Sequence, residues 1–284
     1  MSDPLITLYV PGGRPELIEK AAKYNPDALI IDLEDTVPPP LKAETRENIA
    51  RLIPDLKTPA LVRVNNDPDY LDDDLAQIAS DNIIGIVLPM IDDAETVKHV
   101  DRQLKEAEQE KGLPEGTVKI ILQIESALGV MRTYELSTAS SRVVSVTFGS
   151  AEDGDLQRDL QSSWSAEGPE LLYARSRVLL EARAAKLPFV LDGAFSDIKN
   201  LDSFRKDCEI SKRLGYDGRT LIHPGQFEIA REVYRLSASQ AAHYRKVVEA
   251  FEAAEKRGEA AIQVGGKLID YAMYKQAKSA LVRA

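Results

Sequence analysis

Carboxylate side chains stand just after several short apolar runs of this chain. Glu125 follows the run Ile120–Ile124, and Asp153 and Asp155 come soon after Val143–Phe148. Carboxylate oxygens are the ligands that Mg²⁺ prefers, and the ion keeps several waters besides. If the two runs are neighbouring strands, these carboxylates meet at one edge of a sheet. We therefore predict a magnesium site there, with capping of helix N-termini by the same carboxylates as the alternative.

Arg63 lies inside another apolar run, Ala60–Val64. Burying an unpaired arginine is costly, so its guanidinium needs an acceptor. The planar fork of arginine matches a carboxylate or an enolate oxygen of a substrate. Glu34 and Asp35, which follow the run Ala28–Asp32, offer the alternative of a purely structural ion pair. Both interpretations of Arg63 stay open at this stage.

Two further segments could bind a phosphate group or another part of a ligand. The segment Gly12–Pro15 combines a glycine pair, the cation Arg14 and a proline at a helix start, although it is not a P-loop. His223 precedes Pro224 after the last apolar run, where it could contact a ligand or be structural. The acidic stretch Asp67–Asp74 lacks the pattern of a calcium loop and predicts a solvated helix start.

These residues need a scaffold that brings the ends of several strands together. Eight apolar, β-rich runs alternate with stretches of helical spacing. The runs are Ile6–Val10, Ala28–Asp32, Ala60–Val64, Ile83–Leu88, Ile120–Ile124, Val143–Phe148, Phe189–Asp192 and Thr220–Ile222. Such alternation predicts an α/β fold, a closed (β/α)8 TIM barrel, whose chemistry lies at the C-terminal ends of the strands.

The last part of the chain follows a different pattern. Residues 1–236 account for the barrel, and residues 237–284 predict a C-terminal helical arm or lid. Within this arm, the turn Gly265–Gly266 precedes a carboxylate, Asp270. An arm that carries its own carboxylate could complete a site, and the alternative is a packing appendage.

Composition excludes several classes of function. The chain of 284 residues has a formal net charge of −10, which argues against nucleic-acid binding because no basic surface dominates. Cys208 is the only cysteine, so an intrachain disulfide and a thiolate zinc cluster are excluded. No apolar run is long enough to span a bilayer, and the first residues lack the pattern of a signal peptide. We therefore expect a cytoplasmic protein that binds neither nucleic acid nor a membrane.

Nine segments, taken in order, resemble the citrate lyase beta-subunit-like family, within the HpcH/HpaI aldolase and malyl-CoA lyase superfamily. Together they extend over nearly the whole chain. They are Tyr9–Pro15, Asp32–Asp35, Val62–Asn65, Ile124–Ala127, Phe148–Gly149, Leu171–Ser176, Leu191–Gly193, Ile222–Gln226 and Gly266–Asp270. Single segments are modest signals, whereas the nine in the family's order are a specific one.

The resemblance implies a Mg²⁺-dependent carbon–carbon lyase built on a (β/α)8 barrel. Members of this family cleave or form a bond beta to a thioester carbonyl, so the expected substrate is a 3-hydroxyacyl-CoA such as malyl-CoA or citramalyl-CoA. The family is usually trimeric, and we expect a homo-oligomer, a homotrimer or a multiple of it. Two alternatives stay open: a metal-dependent pyruvate aldolase without coenzyme A, and a non-catalytic barrel subunit that binds a CoA ligand.

The resemblance also implies roles for particular residues. By motif position, Glu125 resembles the family's metal ligand, and Arg63 resembles the arginine that holds the keto-acid end of the substrate. The other expected site residues are Glu34 and Asp35 beside Arg63, Arg14, His223, Pro224 and Gln226 in the coenzyme A site, and Asp270 on the arm. In the family this aspartate reaches into the site of a neighbouring subunit.

One loop departs from the family's pattern. The family has Phe-Gly-x-x-Asp and then Asp-x-x-x-Asp-Leu-Gly with the first aspartate shared, whereas the corresponding stretch here is longer. Counting from Phe148 makes Asp153 the second metal ligand, and counting back from Asp159 makes it Asp155. We take Asp155, with Asp153 as the alternative. Gln161 replaces the usual glycine, which leaves the identity of the substrate open.

Overall fold

The computed structural model describes residues 5–282, and within them eight parallel strands close into a barrel. The strands pair in sequence order, and the last pairs with the first through Thr7 and Thr220. The strands are β1 Ile6–Pro11, β2 Ala28–Asp32, β3 Ala60–Arg63, β4 Gly85–Leu88, β5 Lys119–Ile124, β6 Val143–Phe148, β7 Leu191–Asp192 and β8 Gly218–Leu221. The predicted (β/α)8 fold is therefore confirmed.

Helices connect successive strands around the outside of this sheet. They are α1 Pro15–Ala22, α2 Lys42–Leu52, α3 Leu71–Ile78, α4 Ala94–Glu110, α5 Ala127–Met131, α6 Thr133–Thr138, α7 Asp155–Leu160, α8 Leu172–Ala184, α9 Leu201–Leu214 and α10 Phe227–Tyr234. Short 3₁₀ turns lie at Pro39–Leu41, Ile53–Asp55 and Pro224–Gln226. Helix α1 begins with proline at its first position, as predicted.

The strands are apolar because they are covered on both faces. Every residue of β2 is buried, which explains its continuous apolar run rather than an alternating one. Side chains of Ile30, Leu61, Ile121 and Leu191, from β2, β3, β5 and β7, belong to one cluster. Side chains of non-neighbouring strands can meet only inside a closed barrel, so the barrel interior at this level is packed. Room for a ligand is therefore left only nearer the strand ends.

Strand β7 is shorter than its apolar run. The run Phe189–Asp192 predicts four strand residues, but only Leu191 and Asp192 are in the ladder. The backbone N–H of Val190 donates to the Asp217 side chain at 2.8 Å. A side-chain acceptor thus takes the place of a neighbouring strand.

A buried ion-pair cluster lies at the amino-terminal end of the strands. Arg142, which precedes β6, donates to both carboxylate oxygens of Glu108 at 2.7 Å and to Asp101 at 2.5 Å. Glu108 also accepts from the backbone N–H groups of Gly116 and Val118, just before β5. In barrels of this type, such polar residues at the amino-terminal face serve stability rather than chemistry.

The chain divides into two compact units, the first ending at Ala230 and the second beginning at Arg231. The second contains α11 Ala238–Glu255, the antiparallel hairpin β9 Ile262–Val264 and β10 Lys267–Ile269, and α12 Tyr271–Val282. The predicted helical extension is thus present. The domain division at 236/237 stays a prediction, because compactness alone does not show independent folding.

The second unit has its own small core. Phe251 of α11 stacks on Tyr274 of α12 with ring centroids 4.8 Å apart, and Val264 and Ile269 of the hairpin complete the cluster. Helix α11 begins at a capping box between Ser237 and Gln240. The glycines at 265 and 266 have positive φ values of 60° and 80°, which the tight two-residue turn requires.

Within residues 5–282, no helix is both long and apolar enough to cross a bilayer.

We predict that Arg142→Met lowers the free energy of unfolding by about 3–5 kcal/mol, because Glu108 is left buried without its cation. Urea denaturation followed by circular dichroism measures the change. The matched control is Arg51→Met, which removes an exposed pair with Glu47 and should cost less than about 1 kcal/mol. Equal losses in both variants would contradict a stabilising role for the buried cluster.

Candidate active site

An open cavity of about 320 Å³ lies at the carboxyl ends of the strands. Residues at or after β1, β2, β3, β5, β6, β7 and β8 line it. Four of the predicted site residues belong to this lining, namely Asp35, Arg63, Glu125 and Asp155. The structure thus brings together side chains that lie far apart in sequence.

Arg63 is the cation of this cavity. Its Nε and Nη2 donate to the two carboxylate oxygens of Asp32 at 2.7 and 2.8 Å. Its Nη1 lies 2.9 Å from Glu34 and 3.2 Å from Asp35. The guanidinium also covers the ring of Tyr9, 5.0 Å from the centroid. The sequence named Glu34 and Asp35 as partners, but the bidentate partner is Asp32.

Asp32 is held as a charged acceptor. Burial raises its pKa, but the hydrogen bonds and the charge of Arg63 outweigh burial and hold the pKa below its ordinary value. The backbone N–H groups of Glu34 and Thr36 donate to the same carboxylate at 3.0 and 3.1 Å. Asp32 therefore fixes both the guanidinium of Arg63 and the start of the loop after β2.

The pKa of Glu34 is raised, whereas that of Asp32 is lowered. Burial raises its pKa to about 8, the positive charge of Arg63 lowers it, and the nearby carboxylates of Asp35, Glu125 and Asp32 raise it further. Its Oε2 is close to Arg63, yet no donor within the described residues is aligned to hydrogen-bond it. Because Asp32 already neutralises the guanidinium, Glu34 can exchange a proton near neutral pH, as an acid–base group must.

A lysine that the sequence did not single out holds the Glu34 loop. Lys42, the first residue of α2, donates through Nζ to the carbonyl oxygens of Leu33 and Glu34 at 3.2 and 2.9 Å, and it contacts Asn65. Asn65 in turn donates to Asp74 at 2.7 Å. Asp74 is buried, so the prediction of a solvated helix start is wrong at this position. The buried network joins the loops after β2 and β3.

Glu125 is a largely enclosed carboxylate at the end of β5. Its Oε1 accepts from Gln123 Nε2 at 2.5 Å, and its Oε2 accepts from the backbone N–H of Met90 at 3.2 Å. Burial raises its pKa and these hydrogen bonds and Arg63 lower it, with a net rise. A nearby cation would favour the ionised form. The arrangement therefore suits a cation ligand.

Asp155 and Asp153 differ in their placement. Asp155 is the first residue of α7 and lines the cavity, and its charge contributes to the raised pKa of Glu125. Asp153 is exposed, has a positive φ of 56° and is not part of the lining. Asp159, at the other end of α7, accepts from the backbone N–H of Ala127 at 2.6 Å. This bond fixes α7 beside the Glu125 strand, with Asp155 toward the cavity.

Glu125 and Asp155 are the two predicted ligands that could hold a cation in this cavity. Within residues 5–282, no three histidine, cysteine, aspartate or glutamate side chains converge as a preformed metal site. A cation bound by Glu125 and Asp155 would therefore complete its coordination with water or substrate oxygens. That is the usual arrangement for Mg²⁺, which dehydrates reluctantly.

Arg14 lies apart from the main cavity. Its side chain is exposed and pairs with Glu16 at 2.8 Å. A second groove of about 720 Å³, lined by Gly12, Gly13 and Pro15 and by one face of α2, begins beside it. The groove and the amino end of α1 are compatible with the predicted anion-binding segment.

His223, Pro224 and Gln226 form a turn after β8. The Nδ1 of His223 accepts from the Gly225 N–H at 3.1 Å, and the imidazole is exposed. Gln226 is buried, donates to the Phe195 carbonyl at 3.0 Å and accepts from the His223 N–H at 3.3 Å. The Gln226 side chain thus holds the turn, while His223 and Pro224 remain accessible from outside.

Asp270 belongs to the second unit. It is exposed and accepts from the backbone N–H groups of Ala272 and Met273 at 2.9 and 3.1 Å, so it caps α12. Its predicted role in a neighbouring subunit stays a prediction.

Comparisons with known proteins found a matching family model and similar proteins. The model of the HpcH/HpaI aldolase/citrate lyase family matches residues 5–224. The citrate lyase subunit beta of Escherichia coli (strain K12) is 32% identical over 283 residues, covering 98% of this chain and 92% of that protein. The L-malyl-CoA/beta-methylmalyl-CoA lyase of Cereibacter sphaeroides is 32% identical over 295 residues, covering 95% of this chain and 91% of that protein.

One solved structure is similar over the full length. It is the crystal structure of CitE from Mycobacterium tuberculosis in complex with magnesium, acetoacetate and coenzyme A. It has a TM-score of 0.74 and 25% sequence identity, and the match covers 99% of this chain and 97% of that chain.

We predict that the free energy of unfolding of Glu34→Gln increases relative to that of the wild type as the pH rises from about 5 to 8. The unfolded carboxyl ionises near 4.5, whereas the folded one keeps its proton up to about pH 8. The free energy of unfolding of the wild type is therefore highest, as far as Glu34 is concerned, below pH 4.5. It falls by roughly 2–4 kcal/mol as the pH rises toward 8. Glutamine cannot ionise and escapes this loss.

Urea denaturation of both proteins at pH 5, 6.5 and 8 measures this difference. Glu47→Gln, on the exposed face of α2, is the control for replacing a solvent-exposed carboxylate by an amide. A constant difference between Glu34→Gln and the wild type would show that the Glu34 pKa is not raised.

Proposed function

The chain belongs to the HpcH/HpaI aldolase/citrate lyase family, and we propose that it is a Mg²⁺-dependent carbon–carbon lyase for a 3-hydroxyacyl-CoA. The observation that carries the proposal is the pair of carboxylates, Glu125 and Asp155, that line one cavity with Arg63. Structurally similar CitE was crystallised with magnesium and coenzyme A, which supports both ligands. The reaction would be retro-Claisen cleavage or its reverse.

The residues present fit a magnesium ion. Glu125 and Asp155 supply hard carboxylate oxygens, and the open cavity leaves room for water and substrate oxygens. When bound, Mg²⁺ polarises the oxygen of the α-keto acid that forms, as a Lewis acid. Glu125, held by donors on both oxygens, would keep its place through the reaction.

Arg63 would stabilise the developing negative charge on substrate oxygens. Its guanidinium lines the cavity and is fixed by the bidentate contact to Asp32, so no reorganisation is needed when the charge develops. Asp35 lines the cavity and Glu34 has a pKa near neutrality. We propose that these two carboxyl groups exchange the proton of the substrate hydroxyl.

Coenzyme A would lie along the outer loops. Arg14 and the groove beside Gly12 offer a cation and backbone N–H groups for phosphates. His223 and Pro224 are next to Ile222, which lines the cavity, so they would contact the thiol arm. Gln226 would act indirectly, because its buried side chain holds their turn.

Asp270 would transfer the proton to or from the carbon next to the thioester. It is an exposed carboxylate on the second unit, and we propose that it enters the cavity of a neighbouring chain in a homo-oligomer, a trimer or a multiple of it. An oligomer of this kind would bring Asp270 to the substrate only on assembly.

A substrate screen tests the reaction class. Malyl-, citramalyl- and β-methylmalyl-CoA are incubated with the protein and Mg²⁺, and released glyoxylate or pyruvate is measured with chelated samples as controls. Release of pyruvate only from substrates without coenzyme A would indicate a pyruvate aldolase instead. Tight binding of acyl-CoA without turnover would indicate a non-catalytic subunit.

We predict that Asp155→Asn lowers Mg²⁺-dependent turnover at least about 100-fold, because it removes one of two protein ligands. Glu125→Gln should have the same effect. The matched control is Asp153→Asn on the same loop, which should keep wild-type turnover, since Asp153 does not line the cavity. An inactive Asp153→Asn with an active Asp155→Asn would show that the loop was aligned incorrectly.

We predict that inactive Glu125→Gln and inactive Asp270→Asn subunits regain activity when mixed. If each site takes Asp270 from a neighbouring chain, some mixed sites contain both wild-type residues. Exchange of subunits is verified by native mass spectrometry of differently tagged chains. Zero activity after verified exchange would mean that Asp270 serves its own chain or has no catalytic role.

A further inference from the structure

Gln123 is buried beside the Glu125 carboxylate. Gln123 is on β5 and Glu125 comes directly after the last strand residue, Ile124, so the two side chains, two positions apart, leave the same face. A buried amide needs partners for its oxygen and its nitrogen. The Nε2 of Gln123 donates to Glu125 Oε1 at 2.5 Å, and its Oε1 accepts from the Tyr9 hydroxyl in a short contact. Both ends of the amide are therefore used.

Tyr9 decides which end of this amide faces Glu125. It lies on β1, across the barrel from β5, and its hydroxyl reaches Gln123 over 114 positions of sequence. An amide oxygen can only accept, so the phenol must donate to it. Burial raises the pKa of Tyr9 well above its ordinary value, so that the donor proton is kept at any physiological pH.

The opposite orientation of the amide would be unfavourable. It would point the Gln123 oxygen at the Glu125 carboxylate and leave two acceptors facing each other without a proton. In the observed orientation, Gln123 and the backbone of Met90 each donate to one oxygen of Glu125. The carboxylate is thereby held in one rotation, with its remaining lone pairs available to the cavity.

We propose that Tyr9 and Gln123 are positioning residues for Glu125 as a cation ligand, with Tyr9 acting through the orientation of the Gln123 amide. The inference rests on the proposed function, which makes Glu125 a ligand of Mg²⁺. It goes beyond that function by assigning part of the cation affinity to a tyrosine whose hydroxyl bonds to Gln123 rather than to Glu125. Second-layer partners of this kind typically change metal affinity about 10- to 100-fold.

Isothermal titration with MgCl₂ on the full-length protein tests the proposal without any substrate. Tyr9→Phe removes one oxygen atom and should weaken Mg²⁺ binding about tenfold. Gln123→Met should weaken it at least as much. The double variant should bind like Gln123→Met alone, because Tyr9 acts only through the amide.

Tyr216→Phe is the matched control. It also removes a buried tyrosine hydroxyl, which donates to the Arg175 carbonyl at 2.9 Å away from the cavity lining. It should lower the melting temperature about as much as Tyr9→Phe and leave Mg²⁺ affinity within about twofold. If Gln123→Met does not fold, the Mg²⁺ affinities of Tyr9→Phe and Tyr216→Phe still test the proposal.

The outcomes separate this inference from the proposed function. Unchanged Mg²⁺ affinity in Tyr9→Phe, or additive losses in the double variant, would overturn the inference while wild-type binding upholds the metal site. No Mg²⁺ binding by the wild type would overturn both. Equal weakening in Tyr9→Phe and Tyr216→Phe would reduce the effect to general destabilisation and would also overturn the inference.

Discussion

The bidentate contact between Arg63 and Asp32 is the interaction on which the rest of the cavity depends. It joins the ends of β2 and β3 and allows a guanidinium to be buried among apolar strands at all. In this contact the negative charge of Asp32 neutralises the positive charge of Arg63. The carboxylates of Glu34 and Glu125 consequently stand near a cation that is already neutralised, and burial raises the pKa of both. One ion pair thus sets the electrostatics of its neighbours.

The two ends of the barrel differ in their charged residues: those at the amino-terminal end stabilise the fold, and those at the carboxyl end line the cavity. At the amino-terminal end, Arg142 and Glu108 are buried and paired with each other. At the carboxyl end, acidic side chains outnumber the one arginine that lines the cavity among the described residues. An excess of carboxylates in a partly enclosed space destabilises the empty protein, and a divalent cation relieves that repulsion. This imbalance is typical of a site shaped for a ligand.

The sequence predicted the scaffold better than the contacts inside it. Apolar runs and helical spacing are local signals, so the eight strands, the arm, Arg63 and Glu125 could be identified from them. The choice of Asp155 over Asp153 came from the family resemblance. The roles of Asp32, Lys42, Gln123 and Tyr9 could not, because each depends on a partner that another strand or loop brings close in the folded chain. Tyr9 and Gln123 are 114 positions apart, and Arg63 and Asp32 are 31 apart. The sequence does not predict helix α7, because six residues are too few to show the 3.6-residue period of a helix.

Helix α7 has a consequence for how such proteins diversify. It carries Asp155 on a short connection outside the ladder, and Asp159 ties it to the backbone of Ala127. Residues inserted between Phe148 and Asp155 can therefore loop outward while this tie keeps the carboxylate in place. Selection can then change the rim that a substrate meets without disturbing the barrel. In this chain the loop supplies Ser150, Ala151 and Gly154 to the cavity rim, while Asp159 holds the helix that follows it.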